Sequence, residues 1–261
     1  MAQGLPPAGW WSFQNEPETG LGELAYDVRH RRQGGVPAVP ESPHTSAPSM
    51  HPSSSDIPDS AAAKPAELPR KRLKPGERRV QILQTLASML EQPGAERVTT
   101  AALAARLEVS EAALYRHFAS KAQMFEGLIE FIETSIFSLL NQIAERETDG
   151  LAQAQRIVAV LLQFGERNPG MTRVMVGDAL VYENERLVAR MNQFFDKVES
   201  SLRQGLRTAA EASGSTTPTV EAQAQASVLV SFIIGRLQRY ARSGFKRLPT
   251  EQLDAAMRML A

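Results

Sequence analysis

From residue 76 onward, apolar residues recur at intervals of three and four, the spacing of one face of an α-helix. No stretch alternates apolar and polar residues over the length of a β-strand. The sequence therefore predicts an all-α fold. The predicted helices cover 76–90, 99–107, 110–117, 121–145, 151–164, 171–180, 184–212, 219–242 and 249–260.

Two of these helices are short and close together, at 99–107 and 110–117. Thr99 or Thr100 suits the start of the first and Ser110 the start of the second, because a hydroxyl oxygen accepts hydrogen bonds from the free N–H groups of a helix start. A helix of eight residues is about 12 Å long, which matches the ~12 Å width of the major groove of B-DNA. The pair predicts a helix-turn-helix. The apolar residues that would fix its angle are Leu103, Leu107, Val109, Leu114 and Phe118.

The string VTTAALAARLEVSEAALYRHFASK closely resembles the DNA-binding segment of TetR-type regulators, and its LYRHF-x-SK ending is the most specific part of the likeness. It departs from that family at Glu108, where the turn usually carries glycine, the residue that reaches positive φ without strain. The resemblance implies a three-helix DNA-binding domain at 70–131 and a helical C-terminal domain for dimerisation and partner binding at 132–261.

The same resemblance implies that the protein binds palindromic double-stranded DNA as a homodimer. Short side chains and hydrogen-bond donors on the second helix suit base edges and phosphates. Glu111 lies on the same face. The expected phosphate contacts are Thr99, Thr100, Ser110 and Lys121, and the expected residues near bases are Ala112, Ala113, Tyr115, Arg116 and His117.

Formal charge is zero over the whole chain, but the charge is unevenly distributed. Residues 1–69 hold four basic and eight acidic residues, a net charge of −4, whereas 70–130 hold ten and seven, a net charge of +3. The positive excess therefore coincides with the helix-turn-helix, where phosphates would need neutralising. The chain has no cysteine, which excludes disulfides and thiolate chemistry. No apolar run approaches ~18 residues, so no membrane span is expected, and no membrane partner is predicted.

Residues 1–69 differ in composition from the rest, and nine of the sixteen prolines lie between positions 37 and 75. We interpret 1–69 as a disordered, proline- and serine-rich extension. The spacing of His30, His44 and His51 matches no metal-ligand pattern, so no metal is predicted. The basic run 70–74 is either a solubilising linker or a flexible arm that contacts phosphates or a minor groove.

Two further strings, LLQFGERNPGMTRV and RSGFKRLPT, resemble the nucleoid-occlusion branch of the TetR family. Members of that branch bind specific chromosomal sites and antagonise the tubulin-like division protein FtsZ. This likeness implies a cytoplasmic, nucleoid-associated protein with an FtsZ-binding groove between the fourth and fifth helices. Its expected lining is Phe131, Val160, Gln163, Arg167 and Asn168. Arg167 also has a simpler explanation, since a cation at a helix C-terminus interacts favourably with the helix dipole.

The two long helices at 184–212 and 219–242 are the expected dimerisation helices, as in TetR-type proteins. Small residues on the second of them, Ser227, Ser231 and Gly235, would let helices approach closely.

Two other functions compete with division inhibition. A transcriptional repressor released by a small effector is a common TetR-type role, and it would need an internal cavity. An enzyme is the weakest candidate, because the helical core has neither histidine nor cysteine and the chain has no glycine-rich phosphate loop. No cofactor is expected.

Overall fold

The structure, a computed structural model, describes residues 76–92 and 97–260. The predicted extension at 1–69, its histidines and the basic run 70–74 lie outside the described residues. Within the described part all regular structure is helical, which confirms the predicted all-α fold. The helices are α1 (Glu77–Leu90), α2 (Thr100–Arg106), α3 (Glu111–Tyr115), α4 (Lys121–Arg146), α5 (Gly150–Arg167), α6 (Pro169–Met175), a 3-10 turn (Asp178–Leu180), α7 (Glu185–Ala212), α8 (Pro218–Arg242) and α9 (Leu253–Leu260).

The predicted helix starts of the DNA-binding domain are confirmed by their side-chain caps. Thr99 Oγ1 accepts from the backbone N–H of Ala102 at 3.1 Å, and Ser110 Oγ accepts from Ala113 at 3.3 Å. Ser120 Oγ caps α4 in the same way at 3.2 Å. Each cap satisfies a donor that the helix itself leaves free, so these three hydroxyls set where the helices begin.

The recognition helix is shorter than predicted. The α-helical part of α3 has five residues, not eight, because its last turn tightens. The N–H groups of His117 and Phe118 both donate to the carbonyl of Leu114, at 2.9 and 3.1 Å. Arg116 and His117 therefore lie on the tight turn that directly follows the helix, next to its last residue.

Two C-terminal predictions also need correction. The segment predicted as one helix over 171–180 is α6 followed by the 3-10 turn, because Gly177 takes the left-handed conformation at φ 84° and ends the helix. The last helix begins at Leu253, later than predicted, since Gln252 has φ 55° and cannot belong to it.

A 26-residue helix, α4, joins the two domains. Met124, Leu128 and Ile129 near its start are fully buried, as are Ile132 and Ile136 further along. One apolar face thus belongs to both cores. At about 1.5 Å per residue the helix is roughly 39 Å long, so it leaves the first domain and supports the second.

Three ion pairs connect α4 to the segment that starts α7. Lys121 pairs with Glu183, and Arg186 Nη2 lies 2.8 Å from Glu126 Oε1. Arg190 holds Glu133 with two nitrogens, Nε at 3.2 Å and Nη2 at 2.5 Å. The hydrogen bonds that Arg190 donates to Glu133 raise the pKa of Arg190 above its usual value. The pairs fix α4 against the second domain on its polar side.

A glycine allows α6 to contact the first domain. A Cβ on Gly170 would lie 2.1 Å from the carbonyl oxygen of Ala87 in α1, so only glycine permits this approach. In the second domain, α5 lies between α4, α7 and α8, and Val158, Leu161 and Leu162 are fully buried on it. Within the described residues, no helix has both the length and the apolar character needed to cross a bilayer.

The turn of the helix-turn-helix gives a test of stability. Glu108 has φ 54°, the conformation for which the family uses glycine. We expect Glu108→Gly to raise the free energy of unfolding by about 0.5–1 kcal/mol, because the left-handed conformation costs ~1–2 kcal/mol for other residues and glycine loses part of that gain as chain entropy. Thermal or urea unfolding measures the change.

The matched control is Glu130→Gly, an identical substitution at an exposed site inside α4. It should lower stability by about 1 kcal/mol. Equal losses of unfolding free energy in both variants would mean that backbone strain at Glu108 does not lower the stability of the protein.

Candidate nucleic-acid interface and partner groove

The turn of the helix-turn-helix brings the predicted base-contacting residues to one exposed surface. Tyr115 is 45% exposed, and Ala112 and Arg116 are exposed beside it. Ala113 and His117 are half-buried at the edge of the same surface. The opposite side of α3 is anchored by Leu114 and Phe118, each 1% exposed. The short helix is therefore held by the core and presents its polar side outward.

Two of the predicted phosphate contacts are already engaged within the protein. Thr100 Oγ1 donates to Glu111 Oε2 at 2.6 Å, which ties the start of α2 to the recognition helix. The ammonium of Lys121 pairs with Glu183 and lies 5.7 Å from the ring centroid of Phe125. A phosphate would have to compete with Glu111 and Glu183 for these donors. The phosphate contacts remain predictions.

A residue that sequence reasoning missed supports the recognition helix. Arg79 on α1 donates to the backbone carbonyl of His117, and its guanidinium carbon lies 4.1 Å from the ring centroid of Phe118. The planar guanidinium is suited to stacking and hydrogen bonding at once. Helical periodicity places Arg79 on the polar face of α1, but nothing local in the sequence names a partner 38 residues away.

The residues expected to line the partner groove lie on or beside α4 and α5. Phe131 is half-buried, with its ring centroid 6.4 Å from that of Phe164. Gln163 is half-buried and Arg167 is exposed at the end of α5. Asn168 Nδ2 donates to the carbonyl of Phe164 at 2.8 Å and so closes the end of that helix.

Val160 does not belong to the accessible part of this group. It is 2% exposed and packs in the core of the second domain, because it lies on the apolar face of α5. Amphipathic spacing alone could not separate a groove-lining position from a core position one turn away.

Gln163 carries an unusual feature. Its Oε1 atom is buried and accepts no hydrogen bond within the described residues. A buried acceptor without a donor costs about 1–3 kcal/mol, so it is unlike most polar atoms in a folded core. In this conformation the atom is closed to solvent, so an incoming group does not reach it.

Comparison with protein families matches both domains. Residues 82–128 match the model of bacterial regulatory proteins of the tetR family. Residues 148–261 match the SlmA-like model of the tetracyclin repressor-like C-terminal domain. The two matches together follow the division into a DNA-binding and a C-terminal domain.

Relatives of known name extend the match over both domains. Nucleoid occlusion factor SlmA of Vibrio cholerae serotype O1 is 51% identical over 185 residues, which cover 70% of this chain and 94% of that protein. Nucleoid occlusion factor SlmA of Idiomarina loihiensis is 49% identical over 183 residues, 70% of this chain and 93% of that protein.

Solved structures agree on the fold. The TetR family transcriptional regulator PfmR of Thermus thermophilus superimposes with a TM-score of 0.58 at 19% identity, over 69% of this chain and 96% of that one. The fatty acid degradation regulator FadR of Bacillus halodurans superimposes with a TM-score of 0.59 at 12% identity, over 72% of this chain and 96% of that one. With the sequence identities above, these likenesses lead to one conclusion: the chain belongs to the TetR family and, within it, to the SlmA nucleoid occlusion factors.

Proposed function

We propose that this protein binds palindromic DNA sites as a homodimer and, from those sites, inhibits assembly of FtsZ over the chromosome. The observation that carries the proposal is the identity of about 50% to nucleoid occlusion factors, which spans both domains rather than the common helix-turn-helix alone. Four of the five residues expected to line the partner groove, all except Phe131, lie within the residues that match the SlmA-like C-terminal model.

On the DNA side, each copy inserts α3 and the following turn into a major groove. Helix-turn-helix dimers bind two half-sites about one helical turn apart, so a palindrome mirrors the two-fold axis of the protein. Tyr115 and Arg116 are exposed at the end of the recognition helix, within reach of base edges. Arg79 acts indirectly, by holding the carbonyl of His117 and so the direction of the turn.

On the partner side, an extended segment of FtsZ binds between α4 and α5. Two properties of the groove support this: the half-buried ring of Phe131 and the exposed cation of Arg167. A segment with an apolar residue and a carboxylate would complement both. Asn168 keeps the end of α5 in place beside it.

The DNA assignment predicts a loss of affinity on truncation. Arg116→Ala and Tyr115→Ala should each weaken binding to a cognate palindrome by about 1–3 kcal/mol, because a lost base contact is not replaced by water at equal strength. Fluorescence anisotropy at fixed salt measures the affinity, since phosphate contacts make it depend on ionic strength.

Arg146→Ala is the control for this experiment. Arg146 is an exposed arginine in the last turn of α4, away from the recognition surface, so its loss should leave DNA affinity unchanged. Equal affinity of all three variants and the parent would remove α3 from the interface.

The partner groove predicts a separation of two activities. Arg167→Glu should weaken FtsZ binding at least about tenfold, since a carboxylate repels the acidic segment that the arginine attracts, and should leave DNA affinity unchanged. Sedimentation with FtsZ polymers and DNA anisotropy on one preparation measure both.

Arg146→Glu controls for the helix dipole, because Arg146 and Arg167 both occupy the last turn of a helix. If Arg146→Glu and Arg167→Glu weaken FtsZ binding equally, Arg167 stabilises only the end of its own helix and makes no specific contact with FtsZ. Loss of both activities in Arg167→Glu would indicate misfolding.

A further inference from the structure

Glu183 is an acidic side chain that the fold turns inward. Its side chain is 10% exposed, whereas its apolar neighbours Val181 and Tyr182 are 68% and 67% exposed. The backbone fixes this arrangement, since the N–H of Glu183 donates to the carbonyl of buried Leu180 at 3.0 Å. A carboxylate inside and apolar side chains outside is the reverse of what the hydrophobic effect favours, so the carboxylate depends on a partner that stabilises its charge.

The partner of Glu183 is the ammonium of Lys121, the first residue of α4. The side chain of Lys121 is 24% exposed, and its ammonium lies over the ring of buried Phe125. Water and salt weaken a fully exposed ion pair, but they reach this one much less. If Lys121 turned away, Glu183 would remain as a largely buried charge without compensation, which is strongly unfavourable. In the DNA-free protein Lys121 is therefore committed to Glu183.

This pair runs in the opposite direction to the other two ion pairs between α4 and the start of α7. In those two, α4 supplies the acid, Glu126 or Glu133, and α7 supplies an arginine. In the third, α4 supplies the cation, and the acid comes from the segment before α7. Lys121 is also the member nearest to the helix-turn-helix, just after the turn that follows the recognition helix. The reversal places a cation where the phosphates of a bound duplex would approach.

We propose that Glu183 is a built-in competitor of the DNA backbone. In the free protein it holds the ammonium of Lys121, and Lys121 leaves it for a phosphate when the recognition helix enters the major groove. A lysine suits this exchange, because its ammonium is a point charge on a flexible stem rather than a rigid fork. The inference rests on the proposed DNA binding and adds to it a residue outside the helix-turn-helix that lowers DNA affinity and sets its dependence on salt.

The exchange has a signature in the salt dependence of DNA affinity. A free lysine that neutralises a phosphate releases counterions and steepens the fall of log affinity with log salt by about 0.9. In the exchange, Lys121 also uncovers the carboxylate of Glu183, which takes up a cation from solution and offsets that release. Once Glu183 is made neutral, the full contribution should appear, which is about 1.8 for the two copies in a dimer.

Glu111, which accepts a hydrogen bond from Thr100, is a weaker competitor of the same kind. It is exposed, so water can solvate its carboxylate when Thr100 turns toward a phosphate. Thr100 carries no charge, and its contact with a phosphate would release no counterion. The salt slope therefore reports the exchange at Lys121 and not the one at Thr100.

Glu183→Gln tests the exchange, since glutamine keeps the shape of the side chain and removes its charge. We expect the full-length variant to bind a palindrome, selected from random-sequence DNA with the parent protein, at least about tenfold more tightly, with a salt slope steeper by about 1.8. Adding Lys121→Met to the same chain should return the slope to the parent value, because no cation is left to neutralise the phosphate. Fluorescence anisotropy over a series of salt concentrations measures affinity and slope.

Glu133→Gln is the control for the change in net charge. Glu133 is also a poorly exposed acid in an ion pair between α4 and α7, at 19%, but it lies about 18 Å further along α4 than Lys121. The same loss of one negative charge at that distance should leave the salt slope unchanged. Equal steepening in Glu133→Gln and Glu183→Gln would trace the effect to net charge and overturn the proposal.

A crystal structure of the parent protein on the same palindrome tests the exchange without any substitution, and it stays decisive if Glu183→Gln does not fold. Nζ of Lys121 should lie on a phosphate oxygen and away from Glu183. Lys121 still paired with Glu183 in that complex, or a folded Glu183→Gln protein with the affinity and slope of the parent, would overturn the exchange and leave DNA binding intact. A parent protein that selects no DNA sequence would overturn the exchange together with the DNA-binding part of the proposed function.

Discussion

The burial of one continuous apolar face of α4 in two cores is the constraint on which the rest of the structure depends. Phe125 and Leu128 pack in the part of α4 nearest the helix-turn-helix, and Ile132 and Ile136 continue the same face into the second domain. Because protein cores are close-packed, the two ends cannot rotate independently without opening a cavity. The orientation of the recognition helix is therefore fixed relative to the C-terminal domain.

Two contacts complete this frame. The ion pairs from α4 to the start of α7 fix its polar side, and the approach of Gly170 to Ala87 holds α6 against α1. The recognition helix thus directly precedes the start of α4, and Phe131 lies further along α4. This arrangement gives the proposed function its physical basis, since a protein fixed on DNA would present the proposed partner groove in a defined direction.

The sequence predicted what depends on neighbouring residues, and it failed where the partner is distant. The caps at Thr99 and Ser110 followed from hydroxyls placed before apolar helices. The family resemblance marked Glu108 as a departure from glycine, but it took the structure to show that Glu108 adopts the left-handed conformation, at φ 54°. The hydrogen bond from Arg79 to His117 and the pairing of Lys121 with Glu183 join residues that only the fold brings together. Helical spacing likewise placed Val160 on α5 without showing that it is buried.

Genome-wide mapping of DNA bound by this protein tests the central claim most directly, because division inhibition and promoter control require different distributions of sites. A nucleoid occlusion factor must mark the chromosome wherever the division ring is to be excluded. We predict many palindromic sites spread over most of the chromosome. One or two sites, each at a promoter, would contradict this account and would instead fit a repressor released by a small effector.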